Sequence, residues 1–125
     1  MTGPNGIIEL SGVVLDSPQP RRLADFYQRL LGWEIGDEDE SWVTLLPPGG
    51  GTKLSFQLEP DYRPPTWPSK TDRQQMMLHL DIAVRDLEKA EQHAVATGAT
   101  VMSFQPQPDV RVLADPDGHI FCLFT

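Results

Sequence analysis

The sequence has 125 residues, of which 39% are hydrophobic and 22% charged, as is typical of one globular domain with its own core. Its formal net charge is −8 at pH 7 without any cluster of Lys and Arg, which argues against nucleic acid as a partner because phosphates would be repelled. No apolar run reaches the roughly 18 residues of a membrane span, and the single cysteine excludes an internal disulfide. We therefore expect a cytoplasmic protein that binds neither nucleic acid nor membrane.

The first half of the chain is predicted to form a strand, a helix and three further strands. An apolar run over 7–15, interrupted by Gly12, predicts the first strand, and Pro18 and Pro20 then start a helix. This helix ends at Gly32 and has an apolar stripe formed by Leu23, Phe26, Tyr27, Leu30 and Leu31. The later strands are predicted over 33–35, 42–46 and 53–58, with a solvated acidic turn over 37–40.

The second half repeats this order of elements after a proline-rich connector. The connector covers 59–75, which is long for a compact domain and typical of a linker or a functional lid. The segment 76–86 predicts a strand with His79 and Asp81 on one face, and Asp86 at its end is placed to cap the next helix. That helix is predicted to end at Gly98 and to bury Leu87, Ala90, Ala94 and Val95. Strands are then predicted over 100–104, 110–114 and 119–124.

Both halves therefore give the pattern β-α-β-β-β, with their first strands about 67 positions apart. A repeated order of elements strongly indicates the fold, because it predicts two copies of the same unit of one helix and a small sheet. We expect one α+β domain with a first module over about 7–58, the connector over 59–75 and a second module over 76–125.

Three passages resemble the vicinal oxygen chelate superfamily, which includes glyoxalase I, the bleomycin-resistance proteins and the extradiol dioxygenases. They cover 26–33, 79–87 and 112–123, the last with an Asp-Pro-Asp-Gly turn. The resemblance is closest to the glyoxalase-like domain branch, in which a Phe-Gln pair such as Phe56-Gln57 and a tryptophan loop such as that of Trp67 are usual. It implies that two βαβββ modules curl into a mixed sheet around a cup, often in a homodimer.

The resemblance also implies four positions for metal ligands, one on the first and one on the last strand of each module. His79 occupies such a position seven residues before Asp86, whereas the same register in the first module falls on Gly12, which has no side chain. Cys122 stands where relatives carry a Glu, and Gln57 is the one donor late in the first module. Catalytic zinc usually takes three strong protein ligands, and non-haem iron takes two His and a carboxylate. We therefore expect no bound metal and no other cofactor.

The remaining candidates are the side chains of a pocket for a small organic molecule. His79 is either a hydrogen-bonding wall or a group that moves a proton, and Trp67 is either a lid or an anchor for its own loop. Cys122 lies in an apolar strand, where a small buried hydrophobe is commoner than a nucleophile. His119 follows a tight turn and is expected at the surface. No residue is assigned a catalytic role; the predicted ligand-binding residues are Phe56, Gln57, Trp67, His79, Asp81 and Cys122.

These observations leave three functions open, of which the first is our expectation. The first is a metal-free glyoxalase-like protein that binds a flat or aromatic small molecule, with sequestration of a toxic compound as one use. The second is an enzyme: a metal-dependent isomerase, lyase or dioxygenase with an irregular ligand set, or a metal-free catalyst in which His79 moves a proton. The third is a dimerising interaction module whose cup is occluded.

Overall fold

The structure, a computed structural model, describes residues 6–125 and confirms the α+β class with two βαβββ modules. The first module contains β1 (Gly12–Ser17), α1 (Pro20–Leu31), β2 (Glu34–Glu38), β3 (Trp42–Leu46) and β4 (Lys53–Leu58). The second contains β5 (Leu80–Ala83), α2 (Leu87–Thr97), β6 (Thr100–Val101), β7 (Val110–Ala114) and β8 (Ile120–Phe124). The chain divides into two compact units, the first ending at Tyr62 and the second beginning at Arg63. None of the helices within 6–125 is long and apolar enough to cross a membrane.

The first unit is an open four-stranded sheet in the order β1-β4-β3-β2. Strands β1 and β4 run parallel, and the other neighbours are antiparallel. Helix α1 has proline in its first turn and ends at Gly32, whose left-handed φ of 73° suits glycine. Its apolar stripe packs into the core, where the Tyr27 ring stacks on Phe56 at 5.6 Å between centroids, with Leu23 and Phe26 also buried. These side chains fill the hydrophobic core of the first unit.

The second unit repeats the topology with the order β5-β8-β7-β6 and a parallel β5–β8 pair. The Asp86 carboxylate accepts a hydrogen bond from the backbone N–H of Lys89 at 3.0 Å, which confirms the predicted cap of α2. The predicted stripe of this helix is largely wrong, because Ala94 alone is buried and Val95 is 47% exposed. Helix α2 therefore packs on its sheet through far fewer apolar contacts than α1.

Several predicted strands are too long, because a strand extends only as far as its partner pairs with it. Strand β1 begins at Gly12, opposite Lys53, and leaves Ile7 and Ile8 exposed outside the ladder. Strand β5 begins at Leu80, so His79 lies one residue before it. The strand predicted over 100–104 is reduced to Thr100–Val101, the residues of that segment in ladder register with β7.

The connector predicted over 59–75 is mostly part of the second unit. The backbone N–H of Thr66 donates to the carbonyl of Gln74 at 2.9 Å and closes a compact loop. Pro64 lies against Gly118, where an added Cβ would be 2.6 Å from the Pro64 Cβ. This segment is therefore folded onto the second unit, in contrast to a freely extended linker.

Candidate functional site

The second unit contains a small pocket between its sheet and the folded connector segment. Its volume is about 180 Å³. Its walls are mostly apolar and include a few polar groups, as in sites that bind organic ligands. The lining residues are Trp67, Met76, His79, Pro106, Gln107, Val110, Val112, Ile120 and Cys122.

Trp67 forms one wall of this pocket and is held in place by its own hydrogen bond. Its indole Nε1–H donates to the carbonyl of Phe104 at 3.0 Å, and the two rings lie 6.1 Å apart. The ring also packs against the buried side chains of Val112 and Ile120. The hydrogen bond anchors the loop of Trp67, and its ring also lines the pocket; its role as a lid stays a prediction.

His79 and Cys122 line the pocket, and Asp81 lies beside them. In the parallel ladder, Asp81 pairs with Cys122, which places their side chains side by side on the same face. His79 precedes Asp81 by two residues, and its Nε2 lies 3.0 Å from Oδ1 of Asp81. One donor atom from each residue lies within 4.8 Å of the other two. The structure thus shows that Asp81, predicted on the same face as His79, lies within hydrogen-bonding distance of it.

The surroundings of Cys122 keep its thiol protonated. Burial in the half-closed wall raises the pKa of the Cys122 thiol, and the nearby Asp81 carboxylate raises it further. A thiol in this state is a weak nucleophile, because the thiolate is the reactive form. Without a cation beside it, Cys122 acts as a small, polarisable part of the pocket wall.

The other two predicted ligand-binding residues lie in the first unit. Phe56 is fully buried and stacks on Tyr27, so it contributes to the core of that unit. Gln57 is exposed, and its Nε2 donates to Oδ1 of Asp16 at 3.1 Å. Their roles as ligand contacts stay predictions.

Sequence reasoning missed several pocket residues for which a signal was present. Val110 and Val112 alternate along β7, and Ile120 and Cys122 alternate along β8, so each pair lies on one face of its strand. Val112 pairs directly with Cys122, which joins the two pairs into one apolar surface. Period-two alternation could therefore have identified these walls. The contributions of Pro106 and Gln107 depend on the path of a loop and had no such signal.

The surface location expected for His119 is wrong. Its side chain is only 14% exposed, and its Nδ1 lies 2.9 Å from Oδ2 of Asp115, whose side chain is completely buried. Asp115 also accepts hydrogen bonds from the backbone N–H groups of Asp117 and His119. These contacts hold the tight turn before β8 together and give His119 a structural role.

The ligand atoms of His79, Asp81 and Cys122 fit a zinc ion and do not fit a non-haem iron ion, the two kinds of metal considered from the resemblance. The expectation of no metal was based on His79, Cys122 and Gln57, whereas the structure adds the Asp81 carboxylate beside the first two. An imidazole, a carboxylate and a thiolate are the number and types of ligand that zinc accepts. A non-haem iron site would need a second imidazole, which no cluster among residues 6–125 supplies. The expectation of no bound metal stays a prediction.

Comparison with known proteins agrees with this architecture. The profile of the Glyoxalase-like domain family matches residues 12–124. A glyoxalase/bleomycin resistance protein/dioxygenase family enzyme from Burkholderia phytofirmans PsJN superimposes with a TM-score of 0.70 at 16% identity, over 92% of this chain and 96% of that chain. A glyoxalase/bleomycin resistance protein from Albidiferax ferrireducens T118 gives 0.62 at 20% identity, over 91% and 95%.

A glyoxalase-related enzyme from Fulvimarina pelagi has a TM-score of 0.66 at 18% identity, over 93% of this chain and 86% of that chain. No curated protein sequence matches the chain. At these identities the solved structures establish the fold alone, whereas the family profile covers nearly every residue from β1 to β8. The chain therefore belongs to the Glyoxalase-like domain family.

Proposed function

We propose that this chain binds a small, mostly apolar organic molecule, about the size of one aromatic ring, in the pocket of the second unit. The observation that carries the proposal is the pocket itself, with Trp67, Val110 and Ile120 in its walls and His79 at its polar part. Such a site excludes water from the ring of a ligand and leaves a hydrogen-bonding group for one polar substituent. Sequestration of a toxic compound is the use that we favour.

The size of the pocket limits the ligand. Its volume of about 180 Å³ lies below the range of about 300–1,000 Å³ typical of drug-sized ligands. A cavity of about 150 Å³ in another protein accommodates benzene. One six-membered ring with one or two small substituents therefore fits inside the pocket, and a fused polycyclic compound would extend beyond it.

The imidazole of His79 further limits the ligand. If the Nε2–H of His79 donates to Asp81, its Nδ1 is an acceptor and favours a ligand that carries a hydroxyl or N–H group. The net charge of −8 favours neutral or cationic ligands over anionic ones. We therefore propose neutral or cationic single-ring compounds with one hydrogen-bond donor.

The test is a thermal-shift and tryptophan-fluorescence screen of single-ring and fused-ring compounds, performed with EDTA present. A ligand that binds only the folded state raises the melting temperature, and the single-ring set is expected to contain the hits. Val110→Phe fills the pocket and should abolish the shift. Val101→Phe is the matched control, because Val101 lies on β6, is 37% exposed and does not line the pocket. Equal binding by both variants would contradict the proposed site.

An enzyme is the second candidate, and the cluster of His79, Asp81 and Cys122 is the observation that favours it. The hydrogen-bonding contact between Asp81 and His79 is the arrangement that orients a histidine for proton transfer. In this version, turnover of a pocket ligand would disappear in His79→Gln while the unfolding transition is retained. The pocket argues against the third hypothesis, an occluded interaction module, and the homodimer stays a prediction.

A further inference from the structure

We propose that His79, Asp81 and Cys122 together bind one zinc-like divalent cation at the edge of the pocket. This site goes beyond the proposed function, because it needs no organic ligand. It replaces our expectation of no bound metal, which did not count Asp81 as a ligand. It also differs from the ligand sets implied by the family resemblance, which take donors from both modules. Here all three donors belong to the second unit, and Asp81, two residues after His79, is an added ligand.

The backbone brings the three donors together before any ion binds. The parallel register of β5 and β8 fixes Asp81 beside Cys122, and the Asp81 carboxylate already contacts Nε2 of His79 at 3.0 Å. The donor atoms lie within 4.8 Å of one another. Ligands that lie about 2.0–2.3 Å from a zinc ion stand roughly 3.5 Å apart in a tetrahedral arrangement. The donor atoms therefore need to approach one another by roughly 1 Å to reach this spacing.

The charges also favour a divalent ion. Asp81 and Cys122 pair across β5 and β8, so a divalent cation between their side chains would be bound by a carboxylate and a thiolate at once. A divalent cation bound by one carboxylate, one thiolate and one neutral imidazole gives a centre of zero net charge. A neutral centre costs less in the apolar wall formed by Val112 and Ile120 than an isolated charge would.

The donor types determine which cation is preferred. Mg²⁺ and Ca²⁺ prefer sites made of oxygen ligands, which a thiolate and an imidazole do not provide. Zinc and its spectroscopic substitute cobalt accept nitrogen, oxygen and sulfur together. The side chains of His79 and Asp81 are 39% and 61% exposed, so the ion can enter from solvent. Three protein ligands leave a coordination position for water.

The experiment is a Co²⁺ titration of the full chain, purified without an affinity tag, treated with EDTA and then freed of EDTA, with no organic compound present. A cobalt–thiolate bond gives a charge-transfer absorption in the near ultraviolet, which reports Cys122 directly. We expect this band to saturate at one equivalent and to be displaced by Zn²⁺ but not by Mg²⁺. Cys122→Ser should lose the band, and Asp81→Asn and His79→Gln should weaken binding at least about tenfold.

The controls are Glu88→Gln and His93→Gln, which remove the same types of group from exposed positions of α2 outside the cluster. They should bind as the unmodified chain does. The proposal is overturned if the titration gives no thiolate band, or if Asp81→Asn binds as tightly as Glu88→Gln. Cadmium NMR of the unmodified chain gives the same answer without a variant, because a sulfur ligand shifts the cadmium resonance strongly. Since the compound screen uses EDTA and this titration uses no compound, failure of one proposal is distinct from failure of the other.

Discussion

The two units share one topology but use it differently. The equivalent positions of the two units lie 67 residues apart. His79, Asp81 and Cys122 thus correspond to Gly12, Val14 and Ser55. The strand pairing is also repeated, because Val14 pairs with Ser55 as Asp81 pairs with Cys122. In the first unit these positions provide no set of metal ligands. Gly12 and Val14 have no ligand atom in their side chains, and Ser55 is buried with its hydroxyl hydrogen-bonded to that of Thr44 at 2.9 Å.

The two helices also differ in how many of their residues are buried. Helix α1 buries five residues and packs on an aromatic core, whereas α2 buries Ala94 alone. The first unit therefore packs its helix more tightly on its sheet, and the second unit contains the pocket. A repeated fold therefore does not imply a repeated site, since the site depends on which side chains occupy equivalent strand positions.

The largest expected effect would come from breaking the core of the first unit. Phe56→Ala should lower the free energy of unfolding by about 3–5 kcal/mol, because it leaves a cavity beside Tyr27. Denaturant unfolding measures the loss, and Phe56→Leu should cost markedly less. If Phe56→Leu retained its stability but lost compound binding, Phe56 would be a ligand contact as well as a core residue.

The next largest effect is expected at Gly118, which lies against Pro64 of the connector. Gly118 has a φ of 95°, and a Cβ there would lie 2.6 Å from the Cβ of Pro64. Gly118→Ala should therefore destabilise the chain by about 1–3 kcal/mol through backbone strain, with the steric clash in addition. Gly49→Ala is the matched control, since Gly49 has a φ of 78° but no atom near its Cβ position. Equal thermal unfolding of the two variants would show that the Pro64 contact contributes nothing.

Substitutions of Trp67 test whether this wall of the pocket contacts a bound compound. Trp67→Ala should weaken compound binding more than tenfold, or about 1.4 kcal/mol, because it removes the largest apolar wall of the pocket. Trp67→Phe keeps a ring but loses the hydrogen bond to Phe104, and an intermediate affinity is expected. Isothermal titration of a hit from the compound screen measures both. An unchanged affinity in Trp67→Ala would limit this residue to anchoring its loop.

The smallest effect compares the two helix starts. Asp86→Ala removes the side-chain cap of α2 and should cost about 1 kcal/mol of stability. Gln19, at the equivalent position of α1, makes no capping hydrogen bond through its side chain, so Gln19→Ala should change the denaturation midpoint very little. A larger loss in Gln19→Ala than in Asp86→Ala would contradict the view that packing, and not capping, stabilises α1.

Local signals in the sequence were sufficient for much of the fold. The glycines at 32 and 98 end both helices as predicted, and the predicted bounds of β3, β4 and β7 agree with the structure. The predicted starts of β1 and β5 and the predicted length of β6 were wrong, because pairing with a partner strand decides them. Met77 and Leu78 look like strand residues but are 89% and 51% exposed, because β8 pairs with β5 only from Leu80 onward.

The candidate site shows the same division between sequence and structure. Alternation along one segment placed His79 and Asp81 on a common face, and these two residues do meet. Trp67 and Cys122 were chosen individually, and no sequence rule connected them with the valines of β7. Only the chain path around the second unit places them on one pocket wall.

By itself, the sequence determined the order of the elements, the ends of the helices and the family, because capping residues, apolar periodicity and turn motifs act within a few neighbouring residues. The tertiary structure alone decided that Asp81 and Cys122, 41 positions apart, are neighbours. It also decided that the connector is part of the second unit. Strand register and loop packing are contacts between distant residues, which no local pattern of side chains specifies.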